Sequence, residues 1–213
     1  MIYKRGTTET VALRGASLEV NKGELVTLMG PSGSGKSSLL SILAGLTTPS
    51  AGSVTVEGKA LGGLDEAERA RWRSERLGVV FQRGNLIPFL TAAENVMLVA
   101  RQTVGRKQAR ERARELLGRL GLEDRADHRP GRLSGGEAQR AGIAVALANE
   151  PRLLLGDEVT GELDSETSDQ VMALLAELRR ERGLTMLLVT HNPAIAARAD
   201  RRLAVSNGTV HTQ

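Results

Sequence analysis

Apolar residues run or alternate along several short stretches of the chain. Ala16 to Val20, Glu24 to Met29, Ser53 to Val56 and Leu77 to Phe81 each show this texture and predict strands. Arg152 to Leu155 and Thr185 to Val189 are continuous apolar runs, the mark of strands buried on both faces. Leu203 to Val205 predicts a last short strand, and Thr47 to Gly52 carries turn chemistry. Helices are predicted over Ser37 to Ala44, Asp65 to Arg73, Ser165 to Leu178 and Pro193 to Ala199, with Trp72 a partly buried anchor on the second.

Between residues 83 and 148 strand texture gives way to helical periodicity. Ala109, Ala113, Leu116, Leu117 and Leu120 recur at helical spacing. Thr91 with Glu94 three residues on forms the pattern of a capping box. Strands alternating with helices argue an α/β fold with a mostly parallel sheet. The expectation is one domain over 1–213. Its core comprises 1–82 and 149–213, with a small antiparallel β part near the N-terminus. A helical subdomain is inserted at about 83–148.

Composition narrows the function classes. Aromatics make up only 2% of the 213 residues, so aliphatic side chains must build the core. The net charge of +4 is scattered. The densest basic stretch, Arg101 to Arg119, also carries Glu111 and Glu115 and reads as a solvated helix face. Without a clustered basic patch or stacking aromatics, no nucleic-acid partner is expected. The absence of cysteine excludes disulfides and thiolate metal sites and fits a reducing cytosol. Met1 to Gly15 has no signal-peptide core, and no apolar run approaches the ~20 residues that span a bilayer. Any work at a membrane needs spans from another chain.

Three stretches carry chemistry. Gly30-Pro31-Ser32-Gly33-Ser34-Gly35-Lys36-Ser37 fits G-x-x-x-x-G-K-[ST], placed between a predicted strand and a predicted helix. Its glycines let backbone N–H groups encircle phosphate oxygens, and the following helix, with Ser38 in its first turn, points its positive end at them. Lys36 neutralises phosphate charge and the Ser37 hydroxyl is a Mg²⁺ ligand. The fold core is thus of the P-loop NTPase type. Leu153-Leu154-Leu155-Gly156-Asp157-Glu158 is an apolar strand ending in two acids. Asp157 is placed to hold the Mg²⁺ hydration shell and Glu158 to polarise a water in line with the γ-phosphate. Leu133-Ser134-Gly135-Gly136-Glu137 sets a second phosphate-type site at a helix start. One chain has no need of two such sites for one nucleotide, so the second serves a partner's ATP.

These motifs, in this order with His191 after the strand Leu187-Leu188-Val189-Thr190, resemble the ABC ATPase family over nearly the whole chain. The resemblance implies further roles. Gln82 matches the glutamine that contacts Mg²⁺ and water in a loop that senses the permease. Asp164 matches an aspartate at the dimer seam. Like Ser134, Gly135 and Gly136, it would act on the partner's nucleotide. His191 matches the histidine that touches the γ-phosphate. Tyr3 resembles the aromatic that stacks on adenine; the strand that usually precedes it is missing here, so the chain is expected to start late or be truncated. Val80 to Val96 is similar to ATPases of the macrolide-export, lipoprotein-release and cell-division group. Three positions depart from the family: Val159 where Pro is usual after the catalytic Glu, Gly156 for a common Ala, and Val145 for a frequent Arg.

The implied protein is an ATPase subunit that forms a homodimer around two ATP with Mg²⁺ as cofactor. It drives integral-membrane permease subunits from the cytoplasmic, inner face of the membrane. The alternatives are a soluble ATPase of the same type acting on nucleic acid or in cofactor assembly, and a non-hydrolysing switch. The first would carry a long coiled-coil insertion, a second cassette or a basic arm, and this sequence has none. Glu158 and His191 argue against the second.

Overall fold

The computed structural model describes residues 1–5, 8–82 and 86–212, and only the backbone of residues 3–5 and 8–10. Strands β1 (Ile2–Arg5) and β2 (Thr8–Val11) pair antiparallel. Strand β3 (Leu25–Met29) leads into helix α1 (Lys36–Leu43), followed by the small antiparallel pair β4 (Thr55–Val56) and β5 (Lys59–Ala60). Helix α2 (Glu66–Arg76) then delivers β6 (Leu77–Val80). Three helices follow: α3 (Ala92–Ala100), α4 (Arg106–Arg119) and α5 (Gly135–Leu147). The chain returns to the sheet as β7 (Leu153–Asp157), α6 (Ser165–Arg182), β8 (Thr185–Val189), the short α7 (Pro193–Ala196), β9 (Arg201–Ser206) and β10 (Thr209–Thr212). The main sheet runs β10-β9-β3-β8-β7-β6, parallel throughout except for the β9–β10 hairpin.

Strand alternation divides the core into two layers. Val26, Leu28, Leu155, Leu187 and Val189 pack with Leu39 and Leu40 of α1 and with Trp72 of α2. Their neighbours Leu154, Met186 and Leu188 pack with α5 and α6 on the other face. Both faces being covered explains why these strands read as unbroken apolar runs. Helix α5 approaches β6 closely: a Cβ added at Gly78 would lie 2.4 Å from the Ala146 carbonyl oxygen. The expected capping box starts α3, with the Glu94 N–H donating to Thr91 Oγ1 at 3.1 Å and the Thr91 N–H donating to Glu94 Oε2 at 2.8 Å.

Several expectations are corrected. Ala16 to Val20 is not a strand; Ala16, Leu18 and Val20 are half-buried against the aliphatic core, so their alternation reflects one-sided packing without a ladder partner. Helix α6 runs past Leu178 to Arg182, because Arg179, Arg180 and Arg182 complement the negative end of the helix and Gly183, at φ 66°, stops it. Helix α7 stops at Ala196 rather than Ala199. Trp72 is 7% exposed, a core residue rather than a partly buried anchor. The small antiparallel part expected near the N-terminus is present as the β1–β2 pair, although neither strand was given a range, and β10 was not expected at all.

Candidate active site

Loops leaving the carboxyl ends of the parallel strands β3, β6, β7 and β8 form the region where open α/β sheets bind ligands. The loop after β3 spans Gly30 to Gly35. Gly30, Gly33 and Gly35 have φ of 152°, 77° and 107°. A Cβ at Gly30 would sit 2.2 Å from the Val205 carbonyl oxygen, and one at Gly35 2.4 Å from that of Ala12. The loop is therefore pressed between β9 and the segment after β2, and only glycine fits. The β9–β10 turn closes the clamp: the Arg14 N–H donates to the Gly208 carbonyl at 2.7 Å, and the Gly208 N–H to that of Ser34 at 3.2 Å. Sequence reasoning missed Ala12, Val205 and Gly208 as supports. Asn207-Gly208 between two strands is a hairpin signal that would have found the turn.

Gly35 is the N-cap of α1 and offers no side-chain cap, so the first N–H groups of the helix face the loop uncapped. Lys36 is buried, and its ammonium donates to the carbonyls of Gly30 at 2.8 Å and Pro31 at 2.7 Å. It also lies 3.5 Å from Ser34 Oγ, and a cation at a helix N-terminus held only by neutral oxygens marks a place where an anion is stabilised. Pro31, Ser32 and Gly33 are exposed, Ser34 is buried and Ser38 half-buried.

From α1 the Ser37 hydroxyl donates to Asp157 Oδ2, at the end of β7, at 3.0 Å. Two of the three expected metal ligands thus meet, 120 positions apart in the chain. No group of three or more His, Cys, Asp or Glu is placed to hold a metal among the described residues. A hydroxyl and a carboxylate side by side suit Mg²⁺, which keeps most of its water and phosphate ligands.

Glu158 follows in the left-handed region at φ 53°, a conformation that costs on the order of 1 kcal/mol outside glycine. Its N–H donates to the Val189 carbonyl at 3.0 Å, which ties the β7 and β8 ends together. Glu158 Oε1 is buried with no hydrogen-bond partner among the described residues. His191 Nε2 stands 3.4 Å from it, too long and poorly aligned for a good bond, with the imidazole largely exposed. Burial pushes the Glu158 carboxyl above the usual carboxylate range; Asp157 adds to the rise, and His191 and Lys36 oppose it. The orphaned oxygen and raised basicity fit a group that waits for a water.

The departures at Gly156 and Val159 are linked in space. A Cβ at Gly156 would lie 2.2 Å from Val159 Cγ2 and 2.8 Å from Leu188 Cδ2. Val159, 4% exposed, fills the room that Gly156 leaves. Gly156→Ala is expected to lower stability by about 1–3 kcal/mol through overpacking, and Gly156→Ala with Val159→Ala is expected to be more stable than the single variant. Thermal unfolding of the three proteins checks this; a double variant less stable than Gly156→Ala would break the link.

The remaining expected residues lie elsewhere. Ser134 is the exposed N-cap of α5, with a capping box: the Glu137 N–H donates to Ser134 Oγ at 3.2 Å and the Ser134 N–H to Glu137 Oε2 at 2.7 Å. Gly135 is exposed and Gly136 half-buried beside it. Asp164 caps α6, accepting from the Thr167 N–H and hydroxyl at 2.8 Å each, which lowers its pKa. Gln82 is exposed just after β6. The side chain of Tyr3, expected to stack on adenine, lies outside the described residues.

The chain matches the family described as ABC transporter over residues 13–161. Lipoprotein-releasing system ATP-binding protein LolD of Paramagnetospirillum magneticum is 49% identical over 97% of this chain and 92% of its own length. LolD 1 of Caulobacter vibrioides is 47% identical over 97% of this chain and 89% of its own. Among solved structures, the ATP-binding cassette MJ0796 in a dimeric post-hydrolysis state bound to ADP and Pi superposes with a TM-score of 0.95 at 40% identity, covering all of this chain and 94% of that one. A second dimeric structure of MJ0796, described as a bacterial ABC transporter cassette, gives the same TM-score at 41% identity, covering 99% of this chain and 93% of that one. With its phosphate loop, Ser37–Asp157 pair and half-buried glutamate in the places such a cassette requires, the chain belongs to the ABC transporter family as an ATP-binding cassette.

Proposed function

We propose that the chain binds Mg-ATP, dimerises head to tail around two nucleotides and hydrolyses them to drive a separate membrane permease. The observation that carries this reading is the buried, unpartnered Glu158 Oε1 beside the Ser37–Asp157 pair and Lys36. A buried carboxylate oxygen without a partner costs stability, and such groups gather at reacting sites. Residues 83–148 act as the helical subdomain and the remainder as the core.

The residues divide the work. The N–H groups of Gly33 to Ser37 and the Lys36 ammonium hold the β- and γ-phosphates. Lys36 exchanges its Gly30 and Pro31 carbonyls for phosphate oxygens when ATP arrives. Ser37, Asp157 and Gln82 would hold Mg²⁺, which would neutralise charge on the transferring phosphoryl group. Glu158 accepts a proton from the attacking water, and its burial keeps it basic enough to do so. His191, exposed on the edge of the site, steadies the γ-phosphate. Ser134, Gly135, Gly136 and Asp164 complete the site of the partner copy, and a twofold axis gives two equal sites.

Among the described residues no helix is long and apolar enough to cross a membrane, which supports a permease supplied by other chains. The shared name of the LolD relatives supports a lipoprotein-releasing system as the setting, and in this reading the cassette works on the cytoplasmic face. Phe89, 70% exposed after the Gln82 loop, is the apolar side chain best placed to meet such a permease.

Sedimentation tests the dimer. Glu158→Gln is expected to dimerise with ATP and to stay monomeric with ADP. Adding Ser134→Arg, which sets a bulky cation where the partner's γ-phosphate would sit, is expected to abolish the dimer and leave ATP binding by the monomer intact. ATP-dependent dimers of the double variant would overturn the composite site.

A further inference from the structure

Gln139 is almost fully buried, 1% exposed, in the second turn of α5. A buried side-chain amide must find partners, and this one finds them on two separate loops. Its Nε2 donates to the Val159 carbonyl at 3.2 Å and lies 3.5 Å from the Phe81 carbonyl, the longer and weaker of the two contacts. Val159 follows Glu158 directly, and Phe81 precedes Gln82 directly. One NH₂ group, with its two hydrogens, thus bridges the root of the loop bearing the base and the root of the Gln82 loop. Its own helix begins four residues earlier at Gly135, just after Ser134.

We infer that Gln139 is a positioning residue: it ties the start of α5 to the Glu158 turn and to the Gln82 loop, so that the base is aligned only when α5 is seated. This rests on the reading of Glu158 as the base. A bridge between buried carbonyls is directional, unlike apolar packing, and the turn it holds is a strained one, with Glu158 at φ 53°. Val159 is also held from the opposite side, by its side chain in the room left by Gly156. Released by Gln139, the Val159 peptide is free to turn and the Glu158 carboxylate loses its aim, while the phosphate loop, which Gln139 does not touch, keeps its grip on ATP.

Gln139→Met keeps length and removes both donors. It is expected to lower kcat about 10-fold or more with KM within about twofold, since a misaligned base affects the reacting state alone. Gln139→Asn keeps the amide but is one methylene short, and is expected to lose less kcat than Gln139→Met at the same KM; it also serves if Gln139→Met does not fold. In the Glu158→Gln background, Gln139→Met is expected to add little further loss in single-turnover hydrolysis, because the two residues act as one unit. Three results would overturn the proposal: kcat of both variants within about twofold of the parent, KM rising in step with the loss of kcat, or losses that multiply in the double variant. A failure of the underlying reading looks different: Glu158→Gln alone would hydrolyse ATP at the parent rate.

Discussion

Glu158→Gln is expected to bind ATP within about twofold of the parent and to turn it over at least ~10²-fold more slowly, the usual scale for losing a general base. The substitution keeps shape and preserves an acceptor, so the left-handed turn and the Glu158 N–H bond to Val189 remain. What disappears is proton affinity at an atom that is buried and unpartnered. The pH profile of the parent follows from the same carboxylate. Because burial raises its pKa, the protonated and inactive form persists to higher pH than for an exposed glutamate. The rate should therefore fall as the pH drops through that raised value, and the acid limb should vanish in Glu158→Gln. Steady-state phosphate release between mildly acidic and neutral pH measures both. Release near the parent rate in Glu158→Gln would remove Glu158 from the chemistry.

Lys36→Ala is expected to weaken ATP binding more than any other single change in the site, by roughly 10²-fold or more, as removal of a charge-assisted contact in a desolvated place implies. The ammonium is buried, and it also holds the Gly30 and Pro31 carbonyls together. Removing it loses the phosphate counter-charge and loosens the loop at once. Lys36→Arg is expected to fail as well, since a planar guanidinium does not replace a compact ammonium between two carbonyls. Titration calorimetry with ATP measures the loss; unchanged affinity in Lys36→Ala would mean that the loop is not the phosphate cradle.

The parts of this site legible in the sequence are those encoded by local spacing. Gly30 to Ser37 and Asp157-Glu158 each sit within one turn of chain, and strand-to-helix context fixes where they point. Their meeting at Ser37 and Asp157 rests on the β3-β8-β7 order, which the apolar runs, marking only buried parallel strands, do not state. Illegible are the contacts made by backbone from far away. Gly30 reads as a generic loop glycine until the Val205 carbonyl is found against it. Gln139 lies in the signature stretch, but its partners are 20 and 58 residues distant and are carbonyls, which carry no residue identity. Ala16 to Val20 alternates like a strand because one side of it is wet, and alternation cannot say whether a neighbour supplies a ladder. Strand β10 escaped for the opposite reason: Thr209, His211 and Thr212 are polar, and an exposed edge needs no apolar pattern.

The clamp on the phosphate loop also bears on how the protein is made. Residues 30–37 emerge early in synthesis, but the oxygen that Gly30 packs against belongs to Val205, and the turn that holds Arg14 and Ser34 belongs to Gly208. Strand β3, which feeds the loop, lies in the sheet between β8 and β9, both made late. A nascent chain therefore carries the nucleotide motif long before it has the walls that shape it. Capture of ATP, and with it pairing to a second copy, has to wait until residues beyond 205 have left the ribosome, so partly made chains are kept from assembling prematurely.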